Sequence, residues 1–417
     1  KTFQQMPPFP FDLGSLQIEA YRLFRYKPIF TSRIVQYLYL AALISYPRTS
    51  SQKLPPEIGY RVILKKLGRI SEYKQDSGEL LGKPVLKPNE GKKTDPAHPA
   101  IYPTGNLPEK SLNSPERRIW DLIVRRFMAV FAEPAVIQGI KVFFNINGNR
   151  FQINGKHTLE EGWIRFYTPY FKSTNAILPP MEEGQKVSLK RVLVEDKFTT
   201  PPARYNPSSL LKRMEKEEIG TKATRAGIIQ TLNNRKYTRD ERIVVTDLGL
   251  EVVDILNEYC PAVASLGLTR RLEERMNGIQ EGNETRENVL RDAIEILKPV
   301  TDQLKENEQV IGERLCQASM KARLEELVLG ACPVCKSGQL VILRSRTSGK
   351  RFVGCTNYFE GTCKTSFPLP QKGAAKPTGN VCRNCGYPIV RIWIRGNHPW
   401  SLCVNPSCPT KRKRGGG

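Results

Sequence analysis

Leu43-Ile44-Ser45-Tyr46-Pro47-Arg48-Thr49-Ser50 carries the chain from a helical pattern into a turn. Pro47 disfavours helical geometry at Tyr46 and favours extended chain there. In extended chain, residues i and i+2 point to the same side, so Tyr46 and Arg48 can converge on one object. A phenol oxygen beside a fixed guanidinium suits attack on a phosphodiester, because the cation stabilises charge developing on the transferring group. Taken alone, the stretch suits equally well a plain helix end carrying one of the chain's 15 tyrosines.

The surrounding composition narrows the partner. The chain has 417 residues, enough for several domains, with 39% hydrophobic and 25% charged residues, which permits a globular core. There is no apolar run of about 18 residues and no visible signal peptide, which argues against a membrane partner and for a cytoplasmic protein. Net charge is +24, from 65 Lys and Arg against 41 Asp and Glu. An excess of that size points to a polyanion, most commonly nucleic acid, the alternative being a generally basic solvated surface.

Upstream of the quoted stretch, residues 1–12 are Pro-rich. Thr31 or Ser32 can cap a helix bearing Ile34, Val35, Leu38 and Ala42 at helical spacing, ending near Leu43. Residues 55–84 read as helical and then polar, residues 85–104 as irregular, and a strong helix is expected from about Ser114 to Phe131. Residues 135–200 change to alternation. Ile140, Val142, Phe144 and Ile146 lead into Asn147-Gly148 and then Phe151 and Ile153, a hairpin signal, and Val187, Leu189, Val192 and Val194 continue the β pattern. Helical character returns from 206. Asn206-Pro207-Ser208 starts one helix, Gly220 ends it, and Thr221 or Thr224 starts the next. A β-like pair at 236–246 completes the outline of a winged helix-turn-helix. Thr221, Lys222, Thr224 and Arg225 would open its second helix, where hydroxyls, cations and free N–H groups suit a phosphate; ordinary capping on a solvated face fits the same residues.

Eight of the ten cysteines follow residue 330. Cys332-x2-Cys335 precedes Cys355-x7-Cys363, and Cys382-x2-Cys385 precedes Cys403-x4-Cys408. Crowding at one end of a long chain argues against a secreted disulfide framework and for metal in a reducing compartment. The spacing is that of two four-cysteine zinc ribbons, each too small for a sizeable core, so the ion is expected to supply the folding energy. Bases and aromatics interleave there: Arg344, Arg346, Lys350, Arg351, Phe352, Tyr358 and Phe359, then Arg391, Trp393, Arg395 and Trp400. Such a surface suits single-stranded nucleic acid, although part of the aromatic set is needed for the cores.

Several of these segments together resemble type IA DNA topoisomerases, the archaeal topoisomerase I group most closely. Ser15-Leu16-Gln17-Ile18-Glu19-Ala20 leads toward Leu43–Ser50, which resembles the nucleophile motif; Ala97-His98-Pro99-Ala100-Ile101-Tyr102-Pro103-Thr104 resembles a second. Arg204-Tyr205-Asn206-Pro207-Ser208, Gly220-Thr221-Lys222-Ala223-Thr224-Arg225 and the stretch from Thr269 to Gly282 resemble later ones in the same order. The resemblance covers about residues 15–300. It implies that Tyr46 forms a 5′-phosphotyrosine ester with one DNA strand, that the other strand passes through the gap, and that religation needs no ATP. A free phenol ionises near pH 10, so Tyr46 needs help to lose its proton. The resemblance gives Arg48 the scissile phosphate, places His98 near a DNA phosphate, and makes Arg204, Lys222, Thr224 and Arg225 DNA-binding candidates. The family's Mg²⁺-binding Toprim domain, with its Asp-x-Asp-x-Glu-type cluster, has no counterpart in the sequence. The expectation is therefore a C-terminal portion that depends for catalysis on a Toprim partner in cis or in trans, acting on nucleoid DNA.

The implied fold class is α+β multidomain: helical, winged-helix-like domains around a β-rich arch segment, followed by two zinc ribbons. Boundaries are expected at 1–11 (end of a preceding arch strand), 12–132 (helical, with Tyr46), 133–200 (arch segment), 201–305 (winged DNA-binding domain) and 306–330 (connector). Ribbons at 331–369 and 381–410 follow, joined by a linker at 370–380, with a basic tail at 411–417. Two other readings compete. A tyrosine recombinase would need more Arg and His around its nucleophile, and only His98, His157 and His398 exist here. A non-enzymatic zinc-dependent DNA-binding protein would form no covalent adduct.

Overall fold

The computed structural model describes residues 1–171, 175–358 and 360–414, with side chains through Lys411. The chain divides into two units, Lys1–Val244 with Ser265–Arg291 and Val245–Ala264 with Asp292–Gly417.

In the first unit β1 (Thr2–Gln5) pairs antiparallel with β2 (Ala135–Ile146), which returns as β3 (Asn149–Glu160). Asn147 and Gly148 make the turn with φ of 49° and 81°, the two positive values that a two-residue type I′ hairpin demands. Helix α1 (Leu13–Phe24) begins with a capping box: Ser15 N donates to Asp12 Oδ1 at 2.7 Å, and Asp12 N donates to Ser15 Oγ at 3.1 Å. Helix α2 (Pro28–Leu40) starts a turn earlier than expected. Pro28 supplies a first helical residue with φ already set, and Thr31, instead of capping, is fully buried within the helix. Helices α3 (Tyr60–Leu67), α4 (Lys74–Gly82) and α5 (Ser114–Ala129) complete a core that buries Leu16, Leu38, Leu64, Trp120, Ile123 and Phe127. Full burial of each such side chain is worth about 1.5–3 kcal/mol.

Two parts of the expected β-rich segment differ. Residues 163–167 form α6 (Trp163–Tyr167), whose Trp163, Ile164, Phe166 and Tyr167 join the same helical core, with Trp163 Nε1 donating to Gln5 O at 3.0 Å. Burial of four large side chains against α5 outweighs any strand preference. Residues 185–205, including Val187, Leu189, Val192 and Val194, form no ladder; Val194 is 88% exposed. Their alternation is that of a strand, but among the described residues no neighbouring strand takes up their N–H and C=O groups.

Helix α7 (Pro207–Lys216) has the expected start, with Asn206 Oδ1 accepting from Ser208 N and Ser209 N at 3.0 and 2.9 Å. Helix α8 (Arg225–Asn234) follows, and Leu211, Met214, Ala226 and Ile229 close a small core with Ile18 and Ile29. A two-residue hairpin, β4 (Thr238–Arg239) and β5 (Val244–Val245), spans the division between the units. Helices α9 (Asp247–Tyr259) and α10 (Pro261–Ala264) belong to the second unit and α11 (Leu266–Gln280) to the first. Helix α12 (Arg286–Glu306) begins in the first unit and ends in the second.

The second unit continues with α13 (Glu308–Leu327), tied to α9 by Arg314 on Glu251 at 2.6 Å and on Glu258 at 2.7 Å. Two antiparallel sheets follow. The first is β6 (Val328–Ala331), β7 (Gln339–Arg344), β8 (Arg351–Cys355) and β9 (Ser366–Pro368). The second is β10 (Ala374–Val381), β11 (Pro388–Trp393) and β12 (Trp400–Cys403). They share one buried cluster. Leu329, Leu340, Ile342, Val353 and Leu369 pack with Val390, Ile392 and Val404, and the Phe367 and Tyr387 rings meet edge-on at 5.6 Å. The stretch expected as a linker at 370–380 is thus mostly strand. Its first residues are gripped by Arg351, which is 6% exposed and donates to the carbonyl oxygens of Gly373 at 2.8 Å and of Pro370. Arg351 was grouped with the nucleic-acid-facing bases from the sequence; it is a buried clamp instead.

Candidate active site and metal centres

Backbone pairing holds the Tyr46 stretch at both ends. On one side Ser45 N donates to Tyr102 O at 2.9 Å and Thr104 N to Leu43 O at 3.1 Å. On the other, Gln52 N donates to Lys93 O at 3.0 Å and Ala100 N to Lys53 O at 2.8 Å. The Ala97–Thr104 motif therefore lies antiparallel to the Tyr46 motif. This brings the half-buried Tyr46 ring edge-on to His98 at 4.5 Å, with Tyr39 on its other side at 5.3 Å. Thr49 Oγ1 donates to His98 O at 3.2 Å, fixing the histidine's backbone. His98 Nδ1 is buried with no hydrogen-bond partner among the described residues, a donor or acceptor left for something else.

Arg48 is exposed and lines a cleft of about 330 Å³ together with Arg33, Gln36, Ala223 and Gly227. Among the described residues neither Arg33 nor Arg48 has a hydrogen-bond or ion-pair partner. Tyr46 is not among the residues lining this cleft; its ring lies between Tyr39 and His98.

Asp95, which the sequence did not single out, is the hub beside them. Its Oδ2 accepts from Ser50 N at 3.0 Å and Ser50 Oγ at 3.1 Å, and its Oδ1 accepts from Ala97 N at 3.2 Å. The ammonium of Lys222 completes the set on Oδ2. Burial would raise the carboxyl's pKa, but the Lys222 contact and the two backbone N–H groups outweigh it and hold the group well below the usual carboxylate range. A signal was present in Thr94-Asp95-Pro96, where an Asp before Pro favours a local turn. A second link runs parallel to it: Lys93 bridges Asp12 at 3.3 Å and Glu215 of α7.

Thr224 is the N-cap residue of α8, one of the two expected starts, and Lys222 lies before it. Thr221 N donates to Thr224 Oγ1 at 2.9 Å, and only Arg225 is helical, its Nε donating to Ile219 O at 3.0 Å. Arg204 lies exposed in the unpaired stretch before α7.

In the second unit Cys332, Cys335, Cys355 and Cys363 gather, as do Cys382, Cys385, Cys403 and Cys408, each set with its sulfurs within 4.8 Å of one another. Among the closer pairs, Cys385 and Cys403 lie 3.4 Å apart, Cys335 and Cys355 3.6 Å, and Cys332 and Cys363 4.0 Å. Those distances are far beyond a disulfide bond of about 2.05 Å. They bracket the roughly 3.8 Å edge of a tetrahedron with metal–sulfur bonds of about 2.3 Å. Gly338 N points at Cys335 Sγ at 3.3 Å and, with hydrogen bonds from Cys355, Ser337 and Cys332, draws that thiol down to about 6, while burial pushes its partner Cys355 up. Both sets can hold a metal ion. Of the interleaved aromatics, Trp393 is 54% exposed while Trp400 packs on the shared core. Phe359 and the side chains of the basic run after Lys411 lie outside the described residues. Among the described residues no helix is long and apolar enough to cross a membrane.

A family described as DNA topoisomerase matches residues 1–291. The chain is 41% identical over 411 residues to DNA topoisomerase 1 of Pyrococcus horikoshii, covering 98% of this chain and 59% of that protein. It is 40% identical to DNA topoisomerase 1 of Methanothermobacter thermautotrophicus, covering 97% of this chain and 54% of that one. The chain thus spans a little over half the length of these relatives. Full-length topoisomerase I from Thermotoga maritima has the same fold over 90% of this chain and 59% of its own, with a TM-score of 0.60 at 24% identity. With residues 1–291, more than half of its length, matched by that family, the chain belongs to the DNA topoisomerase family.

Proposed function

We propose that this chain carries the nucleophile half of a type IA topoisomerase site. Tyr46 Oη attacks a DNA phosphodiester; an O–P bond forms to the 5′-phosphate, the P–O3′ bond breaks, and the 3′-oxygen leaves with a proton. The second strand passes, and the 3′-hydroxyl attacks the phosphotyrosine to reseal. The ester conserves the bond, so relaxation of negatively supercoiled DNA needs no ATP. The observation that carries this reading is the Tyr46 ring seated on His98 between two zipped motifs, which fixes the phenol while leaving it half-exposed. Arg48, unpaired and exposed, is the cation for the scissile phosphate, and His98, against the Tyr46 ring, is the second side chain near it. Lys222, Arg225, Arg204 and Thr224 are the proposed DNA-binding residues of the helical segment. Mg²⁺-binding carboxylates come, in this proposal, from a Toprim segment in cis or trans, and the two four-cysteine sets hold Zn²⁺, whose thiolate chemistry they suit. The same reading assigns the protein to nucleoid DNA.

The test is trapping with an end-labelled single-stranded oligonucleotide, in Mg²⁺ and with a Toprim-bearing portion of a relative added, followed by denaturing electrophoresis. A 3′-end label should become protein-bound with the natural chain and not with Tyr46→Phe. Capture of a 5′-end label, or an adduct that survives Tyr46→Phe, refutes the assignment. Normal relaxation by this chain alone would refute the split of the site.

A further inference from the structure

We propose that Asp95 is an internal stand-in for a DNA phosphate: it occupies Lys222 in the free protein and yields it when a strand enters the cleft lined by Arg33 and Arg48. The proposal rests on the DNA reading above and adds the regulation of that site. Lys222 comes from the segment between α7 and α8, yet its ammonium is held by a carboxylate of the Tyr46 domain. Ser50 N, Ser50 Oγ and Ala97 N keep three hydrogen bonds on the Asp95 carboxylate after Lys222 leaves, which offsets part of the loss of its cation. The neighbouring residue Ala223 lines the cleft that also presents Arg33 and Arg48. Both of those cations lack partners among the described residues. A polyanion in that cleft meets two free guanidinium groups and competes with one carboxylate for the third cation. The carboxylate then acts against weak or wrongly placed anions, since only a ligand that satisfies Arg33 and Arg48 together brings enough charge to displace it.

The roles of the two residues separate cleanly. If Asp95 restrains Lys222, the substitution Asp95→Asn should tighten binding of a fluorescein-labelled single-stranded oligothymidine to the full chain, by about twofold to tenfold, the net scale of one intramolecular hydrogen bond. Lys222→Met should weaken binding and reduce the slope of log affinity against log salt by about 0.7, one phosphate contact on a single strand. In the Lys222→Met background Asp95→Asn should have no further effect. Lys222→Arg, which keeps the charge, should bind like the natural chain and guards against a fold defect in Lys222→Met. The proposal is overturned if Asp95→Asn weakens binding as Lys222→Met does, which marks the pair as purely structural. It is equally overturned if Asp95→Asn leaves affinity unchanged. Failure of the natural chain to bind the oligonucleotide at all refutes the DNA reading itself, whereas the wrong pattern in a chain that binds refutes only the exchange.

Discussion

Disabling the second cysteine set should weaken metal binding at the first. The perturbation is the pair Cys385→Ser and Cys403→Ser, which removes two of four thiolates and unfolds a ribbon that has little core of its own. That ribbon contributes Val390, Ile392 and Val404 to the cluster containing Leu329, Leu340, Ile342 and Leu369 of the first. Full burial of each aliphatic side chain is worth about 1.5–3 kcal/mol, so if about a third of the burial of those four first-ribbon residues comes from the second sheet, its loss costs about 2–4 kcal/mol. Because metal binding and folding are one equilibrium in such sites, that cost appears as about 30-fold to 1,000-fold weaker affinity at Cys332, Cys335, Cys355 and Cys363. Cobalt(II) substitution reads it directly, since the thiolate-to-cobalt band counts occupied sites and a chelator competition gives the affinity of each. The reasoning is refuted if the first set binds cobalt in the double variant as tightly as in the natural chain.

Other consequences are simpler to check. Asp121 is 7% exposed and accepts from Tyr73 Oη at 2.5 Å, from Tyr170 Oη, and from Arg125 Nε at 3.1 Å. Asp121→Ala strands two buried phenols, leaving Arg125 only its Glu72 partner, and should cost about 3–5 kcal/mol in chemical denaturation; a loss below about 1 kcal/mol would show that water replaces the carboxylate. Gly162 has φ of 49°, and a Cβ there would lie 2.5 Å from the carbonyl oxygens of Glu133 and Pro134, so Gly162→Ala should lower the melting temperature of the first unit. Arg351→Met leaves the carbonyls of Pro370 and Gly373 without their donor and should increase proteolytic cleavage between residues 369 and 374, with the metal content unchanged. Asp95 is more acidic folded than unfolded, so its stabilisation is complete above the unfolded value near pH 4 and is lost as pH falls below it. Asp95→Asn should therefore flatten the acid limb of a stability–pH curve below about pH 4; an altered slope between pH 5 and 8 would contradict this.

Local chemistry was legible wherever a residue type is confined to one backbone state or one ligand. Asn147-Gly148, the Asn206 cap and the two cysteine sets are of that kind, and each takes its expected form. What the sequence hid depends on partners distant in the chain. The alternation over 187–194 is a real strand pattern, but a pattern cannot supply a neighbouring strand. Trp163–Tyr167 is a short apolar run that either period can accommodate, and only the face of α5 decides it for a helix. Arg351 looked like a surface base because an arginine's burial is set by carbonyls twenty residues on. Asp95 and Lys222 are 127 residues apart, and neither advertises the other.

The zipping of Leu43–Lys53 between Lys93 and Thr104 has a mechanical consequence. If a DNA end becomes covalently joined to Tyr46, it is joined to chain that cannot stretch on its own, because hydrogen bonds on both flanks pass any pull into the helical core. Motion of the cut strand then has to be motion of the whole Tyr46 domain as a rigid piece. The two broken DNA ends part only as far as that piece travels, and they return in register when it does.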